Sequence, residues 1–122
     1  MLPEVEWKNI GSIENIPRRG ARRLCFGIGA KPVAVFRTAD DEIYALVDEC
    51  PHRGGPLSEG IVSGATVACP LHNFVIDLTD GSAVSPDEGV ALSIPVRIAN
   101  GEIFVGLPTG VQNSRALAGD AG

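Results

Sequence analysis

Histidine and cysteine are scarce in this chain of 122 residues, with two of the first and three of the second. Basic charge is short as well: ten Lys and Arg against fifteen Asp and Glu leave a formal charge of −5 and a pI near 4.9. That balance argues against nucleic acid as a partner, because phosphate backbones are held by an excess of Lys and Arg. Long apolar runs are missing. The longest uncharged stretch, Gly60 to Ile76, contains Pro, Asn, Ser, Thr and a His, so it is no membrane span. No basic-then-apolar leader opens the chain, and three cysteines without one point to the reducing cytoplasm. No G-x-G-x-x-G follows a strand-like run, and Gly27-Ile28-Gly29-Ala30 stands alone, which argues against a nucleotide site. Long helical periodicity is absent too. With 15 Gly and 9 Pro, the composition favours turns over helices. The length suits one domain with a modest core and is too short for two ordinary ones.

What is present has the period of short strands. Val33 and Val35, then Ile43, Ala45 and Val47, alternate around Asp40-Asp41, a hairpin signal. Ile61-Val62 and Ala65-Thr66-Val67 flank Ser63-Gly64 as a second hairpin, and Phe74 to Thr79 runs on to a turn at Asp80-Gly81. Ile94, Val96 and Ile98 precede Asn100-Gly101, with Ile103 and Val105 beyond; Asn-Gly suits a type I′ turn because both residues accept positive φ. Ser12 to Ile16 reads as one short turn. The expected fold class is all-β, nine or ten short strands in antiparallel sheets with two loops projecting from one end. The expected domain is 1–107. Residues 108–122, rich in Gly, Asn, Ser and Ala without periodicity, read as a mobile tail.

The two histidines and two of the cysteines fall in two short sets, Cys50-Pro51-His52 and Cys69-Pro70-Leu71-His72, with sixteen residues between His52 and Cys69. Two thiolates and two imidazoles can hold structural zinc, or a two-iron cluster in which His replaces Cys on one iron. Cys50 and His52 are alternate residues, so in extended chain their side chains need not converge on one atom. A tetrahedral zinc site needs such convergence, and zinc-finger histidines usually sit further apart. A two-iron cluster does not: Cys50 and Cys69 can bind one iron while His52 and His72 bind the other. The spacing favours iron.

Cys50-Pro-His-Arg-Gly-Gly-Pro-Leu-Ser and Cys69-Pro-Leu-His-Asn-Phe resemble the two ligand loops of a Rieske [2Fe–2S] domain. Within that group the chain resembles, more closely, the small subunit of NAD(P)H-dependent assimilatory nitrite reductase. The likeness runs from Trp7 to about Leu107. It takes in Ile16-Pro-Arg-Arg-Gly-Ala-Arg, Ala34-Val-Phe-Arg-Thr-Ala-Asp-Asp, Pro56-Leu-Ser-Glu-Gly-Ile-Val and Pro86-Asp-Glu-Gly, with Phe74 where Trp is commoner. The resemblance implies an electron carrier with no complete active site of its own. A larger partner subunit, a sirohaem flavoprotein, would hold FAD, a [4Fe–4S] cluster and sirohaem and reduce nitrite to ammonium. Electrons would pass through an outward imidazole edge of His52 or His72. A stand-alone Rieske ferredoxin feeding a ring-hydroxylating oxygenase is the alternative, and a zinc or empty structural module the third.

An oxidised two-iron, two-sulfide core carries two positive charges, which two thiolates neutralise and four over-neutralise. An added electron therefore meets less repulsion than in an all-Cys site. Respiratory Rieske centres, which this chain resembles, add a disulfide between the loops and a hydroxyl and a Tyr hydrogen-bonded to the sulfurs. Here those positions are Gly55, Leu71, Phe74 and Ile76. The expected potential therefore lies at the low end of the Rieske range, about −150 mV rather than about +300 mV.

Other residues have blander expectations. Cys25 reads as a buried structural thiol, and Trp7 as core. Arg53 is either solvated or tunes the adjacent site. Arg18, Arg19, Arg22 and Arg23 form the one basic cluster, a solvated face by default and an acidic-partner dock otherwise. Asp87-Glu88 are expected to cap a turn after Pro86, or, as the resemblance implies, to lie at an interface. Gly54, Gly55 and Gly60 are expected to supply φ values that a Cβ forbids.

Overall fold

The structure is a computed structural model, and it describes residues 5–26, 31–51, 55–70, 74–84 and 89–108. Among the described residues there are ten strands: β1 (Val5–Ser12), β2 (Gly20–Leu24), β3 (Val33–Arg37), β4 (Ile43–Val47), β5 (Ile61–Ser63), β6 (Thr66–Ala68), β7 (Val75–Asp77), β8 (Ser93–Ile94), β9 (Val96–Ala99) and β10 (Glu102–Pro108). Only two 3₁₀ turns, Ile13–Asn15 and Leu57–Glu59, interrupt them among the described residues. The strands form three antiparallel sheets, ordered β1-β10-β9, β2-β3-β4-β8 and β5-β6-β7. The all-β expectation holds, and among the described residues no helix is long and apolar enough to cross a membrane.

The hairpins close where the turn residues stand. Asn100 and Gly101 have φ of 53° and 76°, the left-handed pair that a type I′ turn requires. Between β3 and β4, Asp41 takes φ 66°, and the Thr38 hydroxyl accepts the N–H groups of Asp40 and Glu42. The first and last described strands, β1 and β10, pair from Val5 opposite Pro108 to Ser12 opposite Glu102.

β3 explains how the sheets stack. All five of its residues are buried, although only Val33 and Val35 stand out by alternation. Val33 and Val35 pack with Ala45, Ile94, Ile103, Val105 and Leu107 on one side. Ala34 and Phe36 pack on the other side with Leu46, Leu57, Val62, Val67, Ile76 and both Cys50 and Cys69. The four-stranded sheet is thus a middle layer between two cores, and a strand buried on both faces loses its polar alternation. One core closes against β1-β10-β9. The other closes against β5-β6-β7 and carries the two ligand loops.

Trp7 departs from expectation. It is half-buried, belongs to neither core, and stacks under the Arg97 guanidinium at 4.3 Å from its ring centre, a cation–π contact.

Candidate metal centre

Two loops of equal length present the cysteines. The first follows β4, and the Cys50 N–H donates to the Gly55 carbonyl at 2.9 Å. The second joins β6 to β7, and the Cys69 N–H donates to the Phe74 carbonyl at 2.7 Å. Each loop therefore closes on a bond from its Cys to the carbonyl five residues on. His52 and His72 belong to the spans these bonds close, and both lie outside the described residues, as do Arg53, Gly54, Leu71 and Asn73. Cys50 and Cys69 are 2% and 0% exposed and share one core. Burial without solvent suits a soft sulfur ligand to a metal, and two such thiols on matched loops fit a cluster held between them.

The first loop has a brace that motif reading passed over. Asp48, its carboxylate fully buried, accepts the Ser58 N–H at 2.8 Å and the Ser58 hydroxyl at 2.6 Å. Its own N–H donates to the carbonyl of Pro32, the residue before the neighbouring strand β3. The bond spans the loop, tying the residue two before Cys50 to the 3₁₀ turn beyond Gly55. Arg23 supplies the countercharge, with Nε 3.4 Å from the Asp48 carboxylate. Leu57, also fully buried, plugs the core under the same turn.

Gly60 and Gly89 show how closely other segments approach the loops. A Cβ added to Gly60 would collide with the Ala68 carbonyl, one residue before Cys69. Gly60 has φ −81°, so close approach rather than positive φ explains the glycine, against expectation. At Gly89, with φ +133°, an added Cβ would press on Pro51 of the first loop at 3.0 Å.

Two further expectations change. Cys25 is exposed rather than a buried structural thiol, because it follows the last residue of β2, beyond the strand's packed face. The four arginines do not form one free basic face. Arg18 binds Asp41 at 2.8 Å, Arg22 donates to the Ile10 carbonyl, and Arg23 faces Asp48. The Asp87-Glu88 expectation lies outside the described residues. Gly55, Phe74 and Ile76 are all buried, and none offers a hydroxyl or thiol to a neighbouring sulfur.

Comparison with known proteins agrees with this geometry. The family model of the Rieske [2Fe–2S] domain matches residues 6–95. The anthranilate 1,2-dioxygenase ferredoxin subunit of Burkholderia cepacia is 37% identical over 102 residues, covering 82% of this chain and 91% of that protein. An all-β fold with one buried thiol on each of two matched loops, together with the family match, makes this an iron–sulfur electron carrier, and the chain belongs to the Rieske [2Fe–2S] family. Its cofactor is accordingly a [2Fe–2S] cluster. Among solved structures, the oxygenase–ferredoxin complex of carbazole 1,9a-dioxygenase matches with a TM-score of 0.72 and 29% identity, over 81% of this chain and 91% of that one. A structure described as a candidate NADH-dependent nitrite reductase small subunit from Mycobacterium tuberculosis matches with a TM-score of 0.75 and 22% identity, over 84% and 95%. At that identity the likeness speaks for the fold alone.

Proposed function

We propose that this chain is a ferredoxin-type Rieske carrier that hands single electrons to a ring-hydroxylating oxygenase. One observation carries the choice: the 37% identity to a dioxygenase ferredoxin subunit extends over 82% of this chain and 91% of that one. The sequence segments quoted above lean instead towards nitrite reductase. For that reading the fold match to a nitrite reductase small subunit is compatible support, and its partner would be the sirohaem flavoprotein.

In either setting the residues of this chain have the same work. Cys50 and Cys69 would hold the cluster through one iron, and His52 and His72 through the other. The cluster, when bound, accepts and releases one electron. The two Cys N–H bonds fix the loop bases, and the Asp48–Ser58 brace keeps the first loop from opening when charge changes. The apolar core around Cys50, Cys69 and Phe74 excludes water from the thiolate side.

Protein purified without oxygen should show the optical and EPR spectra of a Rieske cluster, and Cys50→Ser or His72→Ala should abolish them. Intact spectra in either variant would mean the ligand set is misassigned. Mixing the reduced protein with a ring-hydroxylating oxygenase component, and separately with a sirohaem flavoprotein, then divides the two readings. Fast reoxidation by the oxygenase supports the proposal, and fast reoxidation by the flavoprotein alone overturns it.

A further inference from the structure

The outer face of sheet β5-β6-β7 carries an apolar row. Register places Ile61 opposite Ala68 and Ala68 opposite Val75, and the Val84 N–H bonds to the Val75 carbonyl. Residues directly opposite in antiparallel strands share a face. The inward residues of these strands are Val62, Val67 and Ile76, at most 5% exposed. Ile61, Ala68, Val75 and Val84 therefore point outward, and Ile61 and Val84 are 72% and 40% exposed. The next outward row, Ser63, Thr66, Asp77 and Ser82, is polar throughout. The apolar row is the one beside the second ligand loop: Ala68 precedes Cys69, and Val75 follows Phe74. An apolar strip at this place is not needed by the core.

Charge singles out the same region. Residues 54–96 hold five acids and no Lys or Arg, so about a third of the chain carries the whole formal charge of −5. Glu59 is exposed two residues before Ile61, and Asp77 stands on the next outward row. An apolar row with carboxylates beside it is the complement of an apolar patch flanked by cations.

We propose that the Ile61–Ala68–Val75–Val84 row docks the redox partner, and that the partner presents an apolar patch flanked by Lys and Arg. The inference rests on the electron-carrier reading above. Proximity gives it purpose: a partner seated on this row lies beside the loop bearing His72, whereas one seated on β1-β10-β9 lies across the middle sheet.

The test uses ferric cytochrome c as the probe, a basic redox protein whose lysines ring its exposed haem edge. The reduced protein is mixed with it anaerobically at several salt concentrations. The rate should fall as salt rises, and Glu59→Gln should flatten that dependence. The double variant Ile61→Ser/Val84→Ser should lose about tenfold in rate at every salt, with cluster spectra, midpoint and reduction by dithionite unchanged. Ile98→Ser, an exposed apolar residue on the opposite sheet, should keep the wild-type rate. A double variant at the wild-type rate, an equal loss in Ile98→Ser, or a rate indifferent to salt would overturn the docking assignment while leaving the electron carrier intact. A wild-type chain with no Rieske spectrum overturns both.

Discussion

Asp48 stands two residues before Cys50, yet its partner, Ser58, lies across the loop. Replacing Ser58 with Ala deletes a hydroxyl donor and leaves a buried carboxylate one bond short, which costs about 1–3 kcal/mol. Urea unfolding of Ser58→Ala should register that loss together with faster release of the cluster; stability equal to wild type would deny the brace its role. Asp41 makes a prediction about acid. The Arg18 hydrogen bond, then that of Arg37, lowers its carboxyl from 3.8 to about 2. A depressed folded-state pKa means the contribution is complete above about pH 4 and fades as pH falls towards 2. Asp41→Asn should therefore flatten the acid-unfolding curve in that window, and an unchanged curve there would count against it. The two Cys-Pro loops were legible in the sequence, because residues held by one short loop must be close in number, and the structure buries Cys50 and Cys69 in one core. Asp48–Ser58 was not, since a brace needs only a carboxylate and a hydroxyl, and their pairing depends on the course of the loop. Cys25 misled for a related reason: its neighbours Leu24 and Phe26 are apolar, but β2 ends before it.

At the scale of elements, β3 carries the most consequence. Phe36 is fully buried between the middle sheet and the core that holds the cysteines. Phe36→Ala should cost about 3–5 kcal/mol in urea unfolding and loosen the cluster as well. A loss below about 1 kcal/mol would mean that the core collapses around the gap. The hairpins were readable because their turns are local: Asn100-Gly101, Asp41 and Gly64 take positive φ that few residues accept, although the second turn falls at Gly64-Ala65, one residue later than expected. The burial of β3 on both faces was not readable in full. Ala34 and Phe36 look like the off-phase of an alternating strand until a second core arrives to cover them. The pairing of β1 with β10 joins residues at opposite ends of the chain, and no local pattern specifies it.

For the whole molecule, the net charge and the plain loop side chains act in one direction. Two thiolates and two imidazoles raise the potential above that of a four-thiolate cluster. Gly55, Phe74 and Ile76 offer no hydroxyl or thiol near the sulfurs, and the net charge of −5 opposes an added electron. The midpoint should fall near the bottom of the Rieske range, about −150 mV; a value above zero in a redox titration would refute this. The sequence by itself determined the ligand set expected at the centre, the turns, and the all-β class, because each is written in residues a few positions apart. Tertiary structure alone decided that the middle sheet divides two cores, that Asp48 braces the first loop, and that an apolar row flanks the second. Those features join residues distant along the chain, and only the stacking of three sheets brings them into contact.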